Sequence, residues 1–79
     1  KLLPNNGKIY KEYPFIYNGK VGIIDFMLES EKEILIIDYK THTPNDEINY
    51  IKQINRYKIA MENLKQKSTK GVIFYLDKM

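Results

Sequence analysis

Two aspartates and a lysine stand where a strand-forming sequence has no structural need of them. Asp25 interrupts Val21-Gly22-Ile23-Ile24-Asp25-Phe26-Met27-Leu28, and Asp38 follows the run Ile34-Leu35-Ile36-Ile37. Strand side chains alternate, so Asp38 and Lys40 point to one face and Tyr39 to the other. Folding the chain back at Glu29-Ser30-Glu31-Lys32 sets position 25 opposite positions 36 to 38, and the two carboxylates converge. Two such charges about 5 Å apart repel by roughly 3 kcal/mol at an effective dielectric near 20. A pair held this way needs a shared proton or a cation. Oxygen donors without cysteine or a histidine cluster suit Mg²⁺ or Mn²⁺. A divalent ion there lowers the pKa of water and stabilises charge on a phosphoryl oxygen. Lys40 is placed to orient the water or to neutralise charge in the transition state. The blander reading keeps both aspartates solvated at strand ends, with Lys40 as a surface counter-charge.

Gln53 and Tyr57 are four apart on a predicted helix and share a face. Either Tyr57 is core and Gln53 its boundary, or both reach the edge of the carboxylate site. Glu12 is a further ligand or an exposed strand residue. His42, alone in a loop, reads as a solvated histidine.

Other enzyme plans are missing. The sequence has no Gly-rich phosphate loop, no His-Glu-x-x-His and no Gly-x-Ser-x-Gly elbow, and its two serines, Ser30 and Ser68, fall in turns. The absence of cysteine excludes disulfides, thiolate zinc and an iron–sulfur cluster, and the single histidine makes a zinc site within the chain unexpected. Hydrophobic residues make up 43% and charged residues 29% of the 79, the balance of a globular chain rather than a disordered one. The net charge of +3 gives mild support to a polyanionic partner, against the plainer reading of a solvated basic surface. No apolar run approaches the ~20 residues that span a bilayer, no signal peptide opens the chain, and a cytoplasmic setting is expected. The first residue is Lys1 rather than Met, as in a piece of something larger.

The elements that must position these residues follow from local pattern. Lys8 to Tyr17 alternates and is rich in aromatics, with Pro14 suggesting an edge strand or bulge. Asn18-Gly19 signals a hairpin into a second strand, Lys20 to Glu29. Glu33 to Lys40 reads as a central strand buried on both faces. Asn45 or Asp46 is placed to cap a helix from about Glu47 to Gln66, on which Ile51, Ile54, Met61 and Leu64 gather with Tyr50, Tyr57 and Ala60. Ser68-Thr69-Lys70-Gly71 reads as a break before a short buried strand, Val72 to Leu76. Short turns make the first three strands an antiparallel meander, and the crossover helix makes the fourth parallel to the third. One helix covers one face of such a sheet. The other face needs a cover.

Glu12-Tyr13-Pro14-Phe15, Gly22-Ile23-Ile24-Asp25, Asp38-Tyr39-Lys40-Thr41 and Gln53-Ile54-Asn55-Arg56-Tyr57 together resemble the RecB-like branch of the PD-(D/E)XK nuclease superfamily. That branch includes the nuclease domains of RecB and AddA helicase–nucleases. The resemblance covers residues 9 to 76. It implies a restriction-endonuclease-like α/β core, with residues 1–79 as one partial nuclease domain (core 8–76) that lacks the family's N-terminal helix and its metal-ligating histidine. It further implies a Mg²⁺-dependent (exo)deoxyribonuclease of recombination and repair, working on DNA alongside helicase domains or subunits. Asp25, Asp38 and the backbone carbonyl of Tyr39 would be the metal ligands and Lys40 the catalytic lysine. Gln53 and Tyr57 would lie beside the site and the DNA, and Glu12 would be site-proximal. Ile24 replaces the proline that names the superfamily, and the missing cysteines argue against the iron–sulfur subgroup. The alternative is a non-catalytic module of the same fold that binds DNA or a partner protein.

Overall fold

The computed structural model describes residues 7–41 and 47–76. The strands are β1 (Lys8–Tyr17), β2 (Lys20–Glu29), β3 (Glu33–Lys40) and β4 (Ser68–Tyr75), with one helix, α1 (Glu47–Lys65), between β3 and β4. They form one sheet in the order β1-β2-β3-β4, antiparallel for the first two pairings and parallel for the last. The meander and parallel return are as the sequence predicts. The proposed caps Asn45 and Asp46, and His42, lie outside the described residues.

The β1–β2 turn follows from its residues. Asn18 and Gly19 both have positive φ, 54° and 75°. Asparagine and glycine tolerate that conformation, and its twist matches that of the flanking strands. Pro14 lies in an edge strand of the sheet, as its residue type suggests, and the irregularity of the pair falls at Glu12, whose φ is 52°. Pairing is continuous from Lys8↔Glu29 to Tyr17↔Lys20 except at Glu12 and Asp25. Tyr10↔Met27 and Tyr13↔Ile24 are separated by an odd step, yet all four side chains pack into one core. The break at positions 12 and 25 therefore rotates both strands together. The alternation reverses, and the core stays on one side.

That core is Phe15, Ile24, Met27, Ile34 and Ile36 from the sheet against Ile54, Tyr57, Ala60 and Met61 from α1. The helical stripe is narrower than predicted: Ile51 is 44% and Leu64 48% exposed, the first on the flank and the second in the last turn. β4 begins four residues earlier than expected, at Ser68, and pairs in register from Glu33↔Ser68 to Lys40↔Tyr75. Gly71 belongs to this strand because the helix lies on it. A Cβ there would stand 2.7 Å from Ile54 Cγ1.

Burial alternates along β3 and β4, which corrects the prediction that β3 is buried on both faces and that β4 is a buried strand. Ile34, Ile36 and Asp38 are buried under the helix, whereas Tyr39, Val72 and Phe74 are exposed on the opposite face. The predicted bare face is there.

Candidate functional site: a forked strand pair with a buried carboxylate

The β2–β3 ladder runs from Glu29↔Ile34 to Phe26↔Ile37 and stops. The next pair in that register would be Asp25 opposite Asp38. Instead the Tyr39 backbone N–H donates to Asp25 Oδ2 at 3.0 Å. A side-chain carboxylate stands in for the missing strand carbonyl and holds the fork open. β3 is kept straight by its other neighbour: its pairing with β4 continues through Lys40↔Tyr75, and the Leu76 N–H donates to the Lys40 carbonyl at 2.7 Å.

Asp38 is 4% exposed. Burial pushes its carboxyl pKa up, a hydrogen bond with Asp25 and that residue's charge push it further, and neighbouring Lys40 only partly offsets them. Lys40 Nζ lies 3.2 Å from Asp38 Oδ2, an ion-pair distance. Its directed hydrogen bond goes elsewhere, to Gln53 Oε1 at 3.1 Å, and it rests 4.6 Å from the centre of the Tyr50 ring. Asp38 Oδ2 is thus buried with a charge beside it and without a hydrogen-bond partner. Unmade hydrogen bonds on buried charged oxygens are costly, and such an atom suits a ligand the protein itself does not supply.

Asp25, Asp38, Lys40 and Gln53 are brought together by these contacts. Tyr57 is not. It is 5% exposed and packs edge-on against Phe15, with ring centroids 5.3 Å apart, so the core reading of this residue holds. Glu12 is exposed and lines a shallow depression with Asp25, Phe26 and Tyr39. Among the described residues, however, no three His, Cys, Asp or Glu side chains gather closely enough to hold a metal ion. Two carboxylates are what this part of the chain offers. Tyr50 is the site neighbour that sequence reasoning missed; its place one helical turn before Gln53 was the available signal.

A second charged cluster was also missed. Glu29, read as the last residue of the second strand and part of the turn after it, ends β2 at 8% exposure on the helix side of the sheet. It accepts from Lys65 Nζ at 3.1 Å and Lys67 Nζ at 2.7 Å, and Lys67 also donates to the Ser30 carbonyl.

No family model and no solved structure matches the chain. Curated relatives do. The chain is 35% identical over 100 aligned residues to an ATP-dependent helicase/nuclease subunit of Ligilactobacillus salivarius, covering 98% of this chain and 8% of that protein. The proteins of the same name from Clostridium acetobutylicum and Thermoanaerobacter sp. are 37% identical over 81 residues and 35% over 79, covering 86% and 87% of this chain and 6% of each relative. The chain is homologous to a short stretch of these helicase/nuclease proteins and spans less than a tenth of their length. Among the described residues no helix is long and apolar enough to cross a membrane.

Proposed function

We propose that this chain is the metal-binding half of a PD-(D/E)XK nuclease domain within a helicase–nuclease, hydrolysing phosphodiester bonds of DNA with Mg²⁺. The observation that carries the reading is the buried Oδ2 of Asp38, which accepts no hydrogen bond although the Lys40 ammonium stands 3.2 Å away, with Asp25 beside the same carboxyl. The homology to helicase/nuclease proteins over nearly the whole chain agrees with it.

The donor set fits a hard divalent cation: oxygen atoms only, one of them buried and wanting a ligand. Asp25, Asp38 and the Tyr39 carbonyl are the residues that would hold it. When bound, such an ion supplies a water of lowered pKa and stabilises charge on the phosphoryl oxygens. The chain's own residues do the positioning. Asp25 is fixed by the Tyr39 N–H, and Asp38 by a strand paired on its β4 side through Lys40. Lys40 is held by Gln53 and by the Tyr50 ring, which aims its ammonium at the carboxylate instead of at solvent. In this role Lys40 would orient the attacking water or balance the negative charge on the phosphoryl oxygens. Gln53 acts through Lys40, as a positioning residue.

A second reading, a non-catalytic module of the same fold that binds DNA or a partner protein, draws on the finding that only two carboxylates meet among the described residues. Thermal denaturation in rising Mn²⁺ separates the two. A native state that binds the ion gains about 2.7 kcal/mol at a hundredfold excess over Kd. The nuclease reading expects that rise in the wild type and its loss in Asp38→Asn. A wild type that ignores Mn²⁺ favours the binding module.

A further inference from the structure

α1 is apolar on two sides. Ile54, Tyr57, Ala60 and Met61 are buried against the sheet, while Ile48, Ile51 and Ile59 are 69%, 44% and 52% exposed. Ile48 and Ile59 are three turns apart on one line of the helix, about 16 Å from end to end, and Ile51 flanks that line. The buried group accounts for the fold. The exposed group does not serve it: isoleucine is a poorer helix former than Ala, Lys, Glu or Gln, because its branched side chain loses rotamer freedom against the preceding turn. A helix that is apolar all round is ordinarily covered all round.

The outward side of the helix is also positive. Lys52 and Arg56, one turn apart, share a cleft of about 430 Å³ with Lys20 of the β1–β2 hairpin, and Tyr17 and Ile59 also line it. No carboxylate is among the described residues of that lining, and the three cations take part in no ion pair among the described residues. Arg56 is held over the Tyr57 ring, 5.2 Å from its centre. The two acids of α1, Glu47 and Glu62, stand toward its ends and outside the cleft. An apolar line with a cationic flank results.

We infer that this surface docks an acidic amphipathic helix of a partner protein. The partner's apolar stripe lies along Ile48, Ile51 and Ile59, and its carboxylates reach Lys20, Lys52 and Arg56. Complementary charge of this kind selects the partner and speeds encounter. A second copy of the chain is a poor fit, since a twofold contact brings the patch against itself and sets three cations against three. A nucleic-acid strand would use the cations and leave the isoleucines uncovered. The inference does not depend on the nuclease reading, and the cleft shares no residue with Asp25, Asp38, Lys40 or Gln53.

The test is fluorescence anisotropy with a labelled peptide of about 18 residues, roughly five turns, carrying leucine at helical spacing and glutamate on both flanks of that stripe. The 79-residue chain is titrated against it. Binding is expected, weakening as salt rises. Ile48→Gln combined with Ile59→Gln should weaken it about tenfold or more by removing apolar cover. Lys20→Gln combined with Lys52→Gln should weaken it about fivefold. Lys8→Gln combined with Lys32→Gln, at the other end of the sheet, should change it less than about twofold. In the chain alone the isoleucine pair should leave Tm unchanged or raise it, glutamine being the better helix former. A fall in Tm would assign these isoleucines to the fold and overturn the inference. So would a wild type that does not bind, or one that binds equally a peptide of the same composition with its leucine spacing scrambled. Oligothymidylate that displaces the peptide, with a loss in the lysine pair and none in the isoleucine pair, would make the surface a nucleic-acid site. Dimerisation in sedimentation equilibrium that the isoleucine pair abolishes would make it a self-contact. Either result overturns the docking of a partner helix.

Discussion

Glu29 and Asp38 are both buried carboxylates on the helix side of the same sheet, at opposite ends of neighbouring strands, and they meet opposite treatment. Burial alone raises the pKa of each. At Glu29 the hydrogen bonds and charges of Lys67 and Lys65 outweigh burial and pull the carboxyl below its ordinary 4.5. At Asp38 burial dominates, Asp25 adds to it, and Lys40 falls short, so the carboxyl stays above its ordinary 3.8. The difference lies in where the cations come from. Lys65 and Lys67 close around Glu29 from the end of α1 and the turn after it, joining helix, β2 and β4. Lys40 divides its contacts between Asp38 and Gln53. At one end of the sheet both carboxylate oxygens accept hydrogen bonds from lysines; at the other Asp38 Oδ2 has an ion pair but no hydrogen bond.

The largest expected effect breaks the comparison at the unsatisfied end. Asp38→Asn, or Lys40→Met, should lower Mg²⁺-dependent cleavage of labelled DNA by at least a hundredfold, the usual scale for removing one preorganised electrostatic group. Folding, followed by circular dichroism, should be retained in both. Next comes Glu29→Ala, which strands two lysines in a partly buried site. Breaking a buried pair costs about 3 kcal/mol, enough to lower Tm by roughly 12–24 °C in a domain this small. A loss no greater than that of an average surface substitution would mean the cluster does not hold the fold.

The same treatment of Asp38 should have the opposite sign. Without metal, Asp38→Asn keeps a hydrogen-bonding group and removes the repulsion, and should raise stability by about 1 kcal/mol in urea denaturation. The effect should vary with pH. Because the folded Asp38 binds its proton more tightly than the unfolded chain does, stability is lost as pH rises from 3.8 through the raised value. The gap between Asp38→Asn and wild type should widen over that window and then level off. Glu29 works the other way. Its folded pKa is depressed, so its contribution is fully present above 4.5 and disappears as pH falls through the lower folded value. A last variant tests the geometry alone. Gly71→Ala forces Ile54 aside, since its Cβ would approach to 2.7 Å, and should cost about 1–3 kcal/mol by overpacking without altering metal response.

Much of this was legible in the residues. β1, β2 and β3 have the bounds their alternation and turns predicted, because hairpin chemistry and period-two pattern are local signals. The meeting of Asp25, Asp38 and Lys40 follows from a register that the short turn after Glu29 imposes. Three features escaped. The early start of β4 has no apolar alternation to betray it; Ser68 to Gly71 become a strand only through β3 and the helix above Gly71. The kink at Glu12 and Asp25 shows in neither residue's propensity, being a joint rotation of two paired strands. Glu29 looked like a turn residue because its lysines lie thirty-six and thirty-eight positions away. Charges that meet across such separations are set by topology, which a scan of local pattern does not contain.

Crystals of the chain soaked in MnCl₂, with data collected near the manganese absorption edge, address the forked strand pair most directly. The expected result is an anomalous peak between Asp25 and Asp38, about 2.1–2.3 Å from Asp38 Oδ2 and from an Asp25 oxygen, near Mg²⁺-like coordination distances. A saturated soak with no peak there, or with Lys40 turned fully onto Asp38 Oδ2 as the lysines turn onto Glu29, would make the two ends of the sheet alike and contradict the account.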